Sequence, residues 1–223
     1  LPSGDDEEMQ AVRDDIEAGI DLLDEHGFSE IPLDIQAAVT WNKDTGATEW
    51  SFEAQSDGFG ERIARLGINL SPYDPIAAAA DEGELDSAFE DLFETHFTFE
   101  GARLYESDDG GYDKLFGYLH ALGQQHESEG WGATLAGMPP EDLRQFIAVM
   151  TRSAKGSVQD EFPQAVDWIE AVASYFETSG GSLDIRLDPP EPLTPDRIEQ
   201  LASADDNEAL VEQFGISVTH TPE

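Results

Sequence analysis

The acidic turn between residues 106 and 113 carries the side chains best suited to binding a metal ion. It places Asp108, Asp109 and Asp113 around the pair Gly110-Gly111. Carboxylate oxygens are the ligands that Ca²⁺ prefers, but a Ca²⁺ ion takes about six to eight of them, and the residue spacing of an EF-hand is absent. We interpret the segment as a strand-to-helix turn, and we keep a calcium site formed by Asp108, Asp109 and Asp113 as the alternative.

The residue types needed for catalysis are either missing or wrongly spaced. Five histidines are present, but the separation of His120 and His126 would place them on different faces of a helix. The chain has no cysteine, no Gly-x-Ser-x-Gly turn and no glycine-rich phosphate loop. We therefore expect neither a catalytic site nor a cofactor. The 49 acidic residues nevertheless leave open a hydrolase that uses two paired carboxylates.

Large aromatic side chains are concentrated on segments whose alternation of apolar and polar residues predicts β-strands. One interpretation is an ordinary sheet core beneath helices. The other is an apolar groove on the sheet that receives a lipid or a partner helix. The residues concerned are Trp41, Trp50, Phe52, Phe97 and Phe99.

The N-terminal half is predicted to form one helix followed by three strands. Apolar residues at steps of three and four between Met9 and Leu23 indicate a helix, which Gly27 would end. The apolar period then changes to two, which is typical of strands, and Asn42–Gly46 has the composition of a tight turn. Gly67 is expected to mark a bulge. Three strands with short connections form an antiparallel meander, and their apolar residues lie within 33–41, 48–54 and 63–70.

The rest of the chain, from about residue 74 onward, is predicted to alternate between helices and single strands. Asp74-Pro75 begins a helix, 97–105 is a fourth strand, and three helices follow. A fifth strand ends at Pro189-Pro190, because proline cannot donate to the ladder of a sheet. Two short helices and a last strand complete the chain. We predict an α+β fold in which an antiparallel meander of about six strands packs against several amphipathic helices, as one domain over 1–223 with an N-terminal helix at 1–27.

The balance of charge excludes several classes of partner. The chain has 49 acidic and 11 basic residues, for a formal net charge of −38. Nucleic acids and anionic membranes are bound through clustered lysine and arginine, so neither is an expected partner. The acidity favours a solvated surface adapted to saline conditions, and attraction of cations such as calcium and mimicry of DNA are the alternatives. No run of about 18 apolar residues is present that could span a bilayer.

A family resemblance covers a little over half of the chain, from about residue 97 to residue 220. The segments "FTFEGARLYESDDGGYDKLFGYLHALG", "PPEDLRQFIAVM", "GGSLDIRLDPPEPLT" and "FGISVTH" follow one another in this region. Their order resembles the C-terminal region of uncharacterised bacterial cell-envelope proteins with strand-and-helix repeats. The resemblance implies a periplasmic or otherwise exported protein, and it implies no catalytic residues. Because the chain begins with Leu1, we expect a processed protein or a piece of a longer one.

These observations favour a non-enzymatic envelope domain that binds or scaffolds a protein partner. The second hypothesis is a carrier of an apolar ligand on the sheet face, and the third is the carboxylate hydrolase. An exposed apolar patch would favour the first, an enclosed apolar cavity the second, and two carboxyl groups with raised pKa in a cleft the third.

We expect the melting temperature to rise as sodium chloride is increased from about 0.01 M to about 1 M, because the Debye length falls from roughly 30 Å to 3 Å and self-repulsion is screened. Thermal unfolding followed by circular dichroism measures the effect. A flat or falling curve contradicts the adaptation to saline conditions.

Overall fold

A computed structural model describes residues 4–28, 30–42, 44–70, 97–125, 131–204 and 206–223. The N-terminal helix predicted from the sequence is present, and four strands follow it. These first elements are α1 (Gly4–Glu25), β1 (Leu33–Trp41), β2 (Ala47–Ser56), β3 (Gly60–Leu70) and β4 (Phe97–Ser107). The helix predicted to begin at Asp74-Pro75 lies outside the described residues.

The remaining elements form a helical region, a strand, two further helices and a last strand. They are α2 (Gly111–Gln125), α3 (Trp131–Ala136), α4 (Pro140–Ser153), α5 (Lys155–Val158), α6 (Ala165–Glu177), β5 (Ser182–Leu187), α7 (Pro195–Ser203), α8 (Asn207–Phe214) and β6 (Ile216–Thr221). Helices α3 and α5 have six and four residues, which is too short for the apolar periodicity to reveal. Helix α6 begins only at Ala165, after Pro163, which disfavours helical geometry in Phe162, the residue before it.

The six strands form one sheet in chain order, each antiparallel to the next. This arrangement confirms the α+β fold and the predicted meander. The turn between β1 and β2 follows from its sequence. The Asn42 side chain accepts a hydrogen bond from the Asp44 N–H at 2.9 Å, and Gly46 takes the left-handed conformation at φ 76°.

The predicted bulge is present at Gly67, but the extra residue lies on the neighbouring strand. Gly67 pairs with Gly101, whereas the next residue, Ile68, pairs with Phe99. Glu100 is therefore the additional residue of β4. The sequence of β3 alone could not reveal this, because a bulge depends on how two strands are aligned.

The sheet has one apolar and one polar face, and the helices that the structure describes cover only part of the apolar face. Helix α6 packs against β5 and β6, and α4 packs against α6. The buried core accordingly lies mostly in the C-terminal half. It includes Phe116, Leu143, Ala148, Ala173, Tyr175, Leu183, Leu193 and Leu201.

Helix α1 is attached mainly by its C-terminal end. Leu22 is buried, and Phe28 contacts the rings of Phe59 and Tyr118 just after the helix ends. The predicted apolar stripe continues toward the N-terminus of α1, where Met9, Ile16 and Ile20 are exposed. Within the described residues, much of the apolar surface of the N-terminal half is therefore open to solvent.

Candidate functional site

The candidate functional site is the apolar surface formed by strands β1, β2 and β3. The cross-strand register places Val39 opposite Trp50, and Trp50 opposite Leu66. Ala37 stands opposite Phe52 in the same way. Since residues that pair directly across strands share a face, the alternation of each strand builds one continuous apolar surface. We call it the β1–β3 apolar face, and its residues are Leu33, Ile35, Ala37, Val39, Trp41, Trp50, Phe52 and Leu66.

The large side chains of this face are exposed although they are strongly apolar. The exposed fraction is 58% for Val39, 51% for Trp50 and 43% for Phe52. Helices cover β5 and β6 at the other end of the same sheet. Isolated exposed apolar residues are common on protein surfaces, whereas large contiguous patches are typical of interaction sites.

A groove of about 430 Å³ crosses the middle of the β1–β3 apolar face. Its walls include Ala37, Val39, Trp50, Phe52 and Leu66. The arrangement can bind apolar side chains or an apolar ligand by removing these surfaces from water, and each Å² of apolar area buried contributes roughly 25 cal/mol.

The five aromatic residues singled out in the sequence are not brought together. Trp50 and Phe52 line the groove, and Trp41 lies on the same face two residues beyond Val39. Phe97 and Phe99 are half-buried on β4, and Phe99 packs against Phe214. Phe97 and Phe99 therefore belong to a partly covered part of the sheet, whereas Trp41, Trp50 and Phe52 belong to its exposed part, and the binding groove stays a prediction.

A buried ion pair fixes the end of β4 to the helices. The Asp108 side chain is 2% exposed and that of Arg144, on α4, is 5% exposed, and Arg144 Nη2 donates to Asp108 Oδ2 at 2.9 Å. The other oxygen, Asp108 Oδ1, accepts the N–H of Tyr112 at 3.1 Å in the first turn of α2. Asp108 thus binds a backbone amide in the first turn of one helix and a side chain of a second.

The same guanidinium group has three further partners, which are the Asp113 carboxylate and the carbonyl groups of Phe176 and Thr178. Arg144 Nε donates to Asp113 Oδ1 at 2.6 Å, and Nη1 donates to the Thr178 carbonyl at 3.0 Å. Burial opposes ionisation of Asp113, but the hydrogen bond from Ser179 and the charge of Arg144 outweigh it and hold the pKa of Asp113 below its ordinary value. Arg144 therefore connects β4, α2, α4 and the end of α6.

Each of the three carboxylates considered as calcium ligands has a partner within the protein. Asp108 and Asp113 are paired with Arg144, and Asp109 Oδ2 accepts the N–H of Gly58 at 3.2 Å. Within the described parts of the chain, no group of three or more His, Asp or Glu residues is placed to hold a metal ion. The calcium site stays a prediction, and the structure assigns these carboxylates to a guanidinium and a backbone amide.

Arg144 is the structural residue that the sequence analysis did not single out for its chemistry. A signal was present, because Arg144 stands beside Leu143 and four residues before Ala148, both of which are buried. A charged residue on the buried side of an amphipathic helix requires a buried partner of opposite charge. The sequence could not show which of the 49 acidic residues supplies it.

A second polar group lies beside this ion pair, beneath the helices. The Tyr112 hydroxyl donates to Glu106 Oε1 at 3.0 Å, and Arg62 pairs with Glu106 at 2.7 Å. Burial and the charge of Glu106 raise the pKa of Tyr112 to about 12. Tyr112 is therefore a neutral hydrogen-bond donor at physiological pH.

The described histidines lie apart from one another in the fold. His120 Nδ1 is 2.8 Å from the Met138 carbonyl, and His26 meets the ring of Tyr118 edge-on. His220 packs against the ring of Tyr175, and burial lowers its pKa. His96 and His126 lie outside the described residues. The structure thus gives each of the three described histidines its own separate environment.

Comparison with known proteins gives one partial match. A family model described as an uncharacterised protein matches residues 131–221, which is less than half of the chain. No curated protein and no solved structure matches. The matched region begins at α3 and ends in β6, so β1, β2 and β3 lie outside it. The resemblance to cell-envelope proteins stays a prediction.

Among the described helices, none combines the length and apolar character required to cross a membrane.

We expect Arg144→Met to reduce the free energy of unfolding by about 3–5 kcal/mol, because it leaves the buried carboxylate of Asp108 without its cation. Chemical denaturation measures the loss. The matched control is Arg152→Met, whose ion pairs with Glu170 and Glu177 are more exposed, and it should cost about 1 kcal/mol or less. Equal losses in the two variants would contradict the role assigned to Arg144.

Proposed function

We propose that the chain is a non-enzymatic, exported module that docks a protein partner on the β1–β3 apolar face. The observation that carries the proposal is the exposure of large apolar side chains on three adjacent strands. The partner that fits best is a protein segment in extended conformation, which adds a strand beside β1 and lays its apolar side chains over Val39 and Trp50.

The edge of the sheet supports this mode of binding. All nine residues of β1 are exposed, and β2 is its one neighbour in the described sheet. Natural proteins protect edge strands with lysine, proline, bulges or charges. β1 contains one charged residue, Asp34, no proline and no lysine, and it pairs with β2 without a register shift. Unprotected backbone groups beside an apolar face are the surface that strand addition requires.

The charge of the chain selects the chemistry of the partner. A second copy would bring another formal charge of −38 against the first. Like charges on apposed surfaces oppose association, whereas complementary charges accelerate it. The account therefore favours a neutral or basic partner over self-association.

Carriage of an apolar ligand is the second candidate function. The groove of about 430 Å³ favours it, since small-molecule sites commonly enclose about 300 to 1,000 Å³. Such sites bury roughly 70–90% of a ligand's surface. Two residues in the groove walls, Leu66 and Val39, are themselves 39% and 58% exposed. The groove is therefore an open face and not an enclosed cavity, and this favours a protein partner over a small ligand.

The hydrolase hypothesis would be supported by carboxyl groups with raised pKa in a cleft. Among the described residues, the carboxyl groups with clearly altered pKa are Asp113, Glu170 and Asp184, and in each the pKa is lowered. A lowered pKa is typical of ion pairing and does not supply a general acid.

A photo-crosslinking amino acid placed at Val39 tests the docking surface in cells of the source organism. The matched position is Thr219, an exposed residue of β6 at the opposite edge of the sheet. We expect a protein adduct from position 39 and none from position 219. The captured protein, once purified, should bind the unmodified chain and lose at least tenfold in affinity for Val39→Glu but not for Thr219→Glu.

Three outcomes contradict the proposal. Adducts of equal yield at both positions indicate nonspecific capture. An adduct between two copies of the chain identifies self-association instead. A small-molecule adduct at position 39 without protein supports the ligand carrier.

A further inference from the structure

The polar face of the sheet carries three arginines side by side. Arg65 pairs in register with Arg103, and Arg103 pairs with Arg186. They therefore occupy adjacent positions on β3, β4 and β5 and share one face. We call them the arginine row. They are three of the 11 basic residues in a chain with 49 acidic ones.

A recess lies beside the arginine row because two glycines face each other there. Gly67 pairs with Gly101, and both line a groove of about 370 Å³ together with all three arginines. Gly101 has a φ of 150°, and an added Cβ atom would lie 2.8 Å from the Leu187 carbonyl oxygen. Glycine is therefore required at this bulge, and it opens the floor of the groove.

One carboxylate, that of Asp184, pairs with two of the three guanidinium groups. Arg103 binds Asp184 through two hydrogen bonds of 2.9 Å, and Arg186 Nη2 donates to the same carboxylate at 2.6 Å. The hydrogen bonds from Arg103, which have the largest effect, and from Arg186 lower the pKa of Asp184 to about 2. Asp184 is therefore ionised at physiological pH and holds the two guanidinium groups in place.

Arg65 is directly opposite Arg103 and makes no ion pair within the described residues. Like charges directly opposite each other destabilise a pair of strands. The groove is also lined by Glu49, Glu100 and Asp188, none of which lies within ion-pair distance of Arg65 in the described structure. An anion between Arg65 and Arg103 would relieve the repulsion.

We propose that this groove binds one oxyanion, a carboxylate or phosphate group of a small molecule, between Arg65 and Arg103. Arg65 presents parallel N–H donors that match such an anion as a pair, and Arg103, whose Nε and Nη2 already bind Asp184, adds its Nη1 group. Polyanions such as nucleic acids are disfavoured, because the three carboxylates around the groove and the net charge of −38 repel a long chain of phosphates. The proposal does not depend on the docking of a partner at the β1–β3 apolar face.

Titration with inorganic phosphate, followed by NMR, tests this site at constant ionic strength, and acetate is titrated separately. We expect saturable shifts of the Nε–H signals of Arg65 and Arg103 and of the amide signals of Gly67 and Gly101. A response to phosphate alone assigns the site to phosphoryl groups, and a response to both anions assigns it to oxyanions in general.

The variants separate a specific site from general screening of charge. Arg65→Gln should weaken binding at least tenfold, and Arg65→Lys, which keeps the charge but loses the paired donors, should weaken it severalfold. Arg13→Gln on α1 makes the same change in net charge and should leave binding unchanged. Shifts that rise linearly without saturation, or equal weakening by Arg65→Gln and Arg13→Gln, would overturn the proposal.

Discussion

The buried pair between Asp108 and Arg144 fixes the helices on the sheet. Asp108 begins the loop after β4, accepts the N–H of Tyr112 in the first turn of α2 and holds α4 through Arg144. Because the guanidinium also reaches the Thr178 carbonyl after α6, one charged group sets the positions of three helices. A buried charge of this kind is costly unless every partner is in place, so the helical layer has one arrangement that satisfies it.

This anchoring places the helical layer over one part of the sheet. The ion pair lies at the β4 end of α2, and α6 packs against β5 and β6. The apolar residues of β1, β2 and β3 continue the same face beyond the helices and are exposed. The functional proposal follows from this asymmetry, because the sequence of β1 has the apolar alternation of a covered strand and nothing among the described elements covers it. On the opposite face, the arginine row offers a polar site with different chemistry.

The sequence predicts the fold well where local patterns determine it. The period-two alternation in β1 and β2, the turn at Asn42–Gly46 and the prolines after β5 each specify their own conformation, and the meander follows because the connections are short. The candidate sites are less predictable because they depend on alignment between distant segments. Arg65, Arg103 and Arg186 form a row only once the register of β3, β4 and β5 is known, and the bulge at Glu100 alters that register. The exposure of Trp50 is equally unpredictable, because it depends on where the helical layer lies. The alternation of apolar and polar residues in β2 would be the same whether the strand were covered or exposed.

Hydrogen–deuterium exchange of the isolated chain tests the open β1–β3 apolar face most directly. The account predicts that alternate amides of β1, those that point away from β2, exchange rapidly, while amides of β4 and β5 exchange only on global unfolding. Protection of every amide of β1 to the level of β4 would contradict the account, because it would mean that the edge of the sheet is already paired or covered in the chain alone.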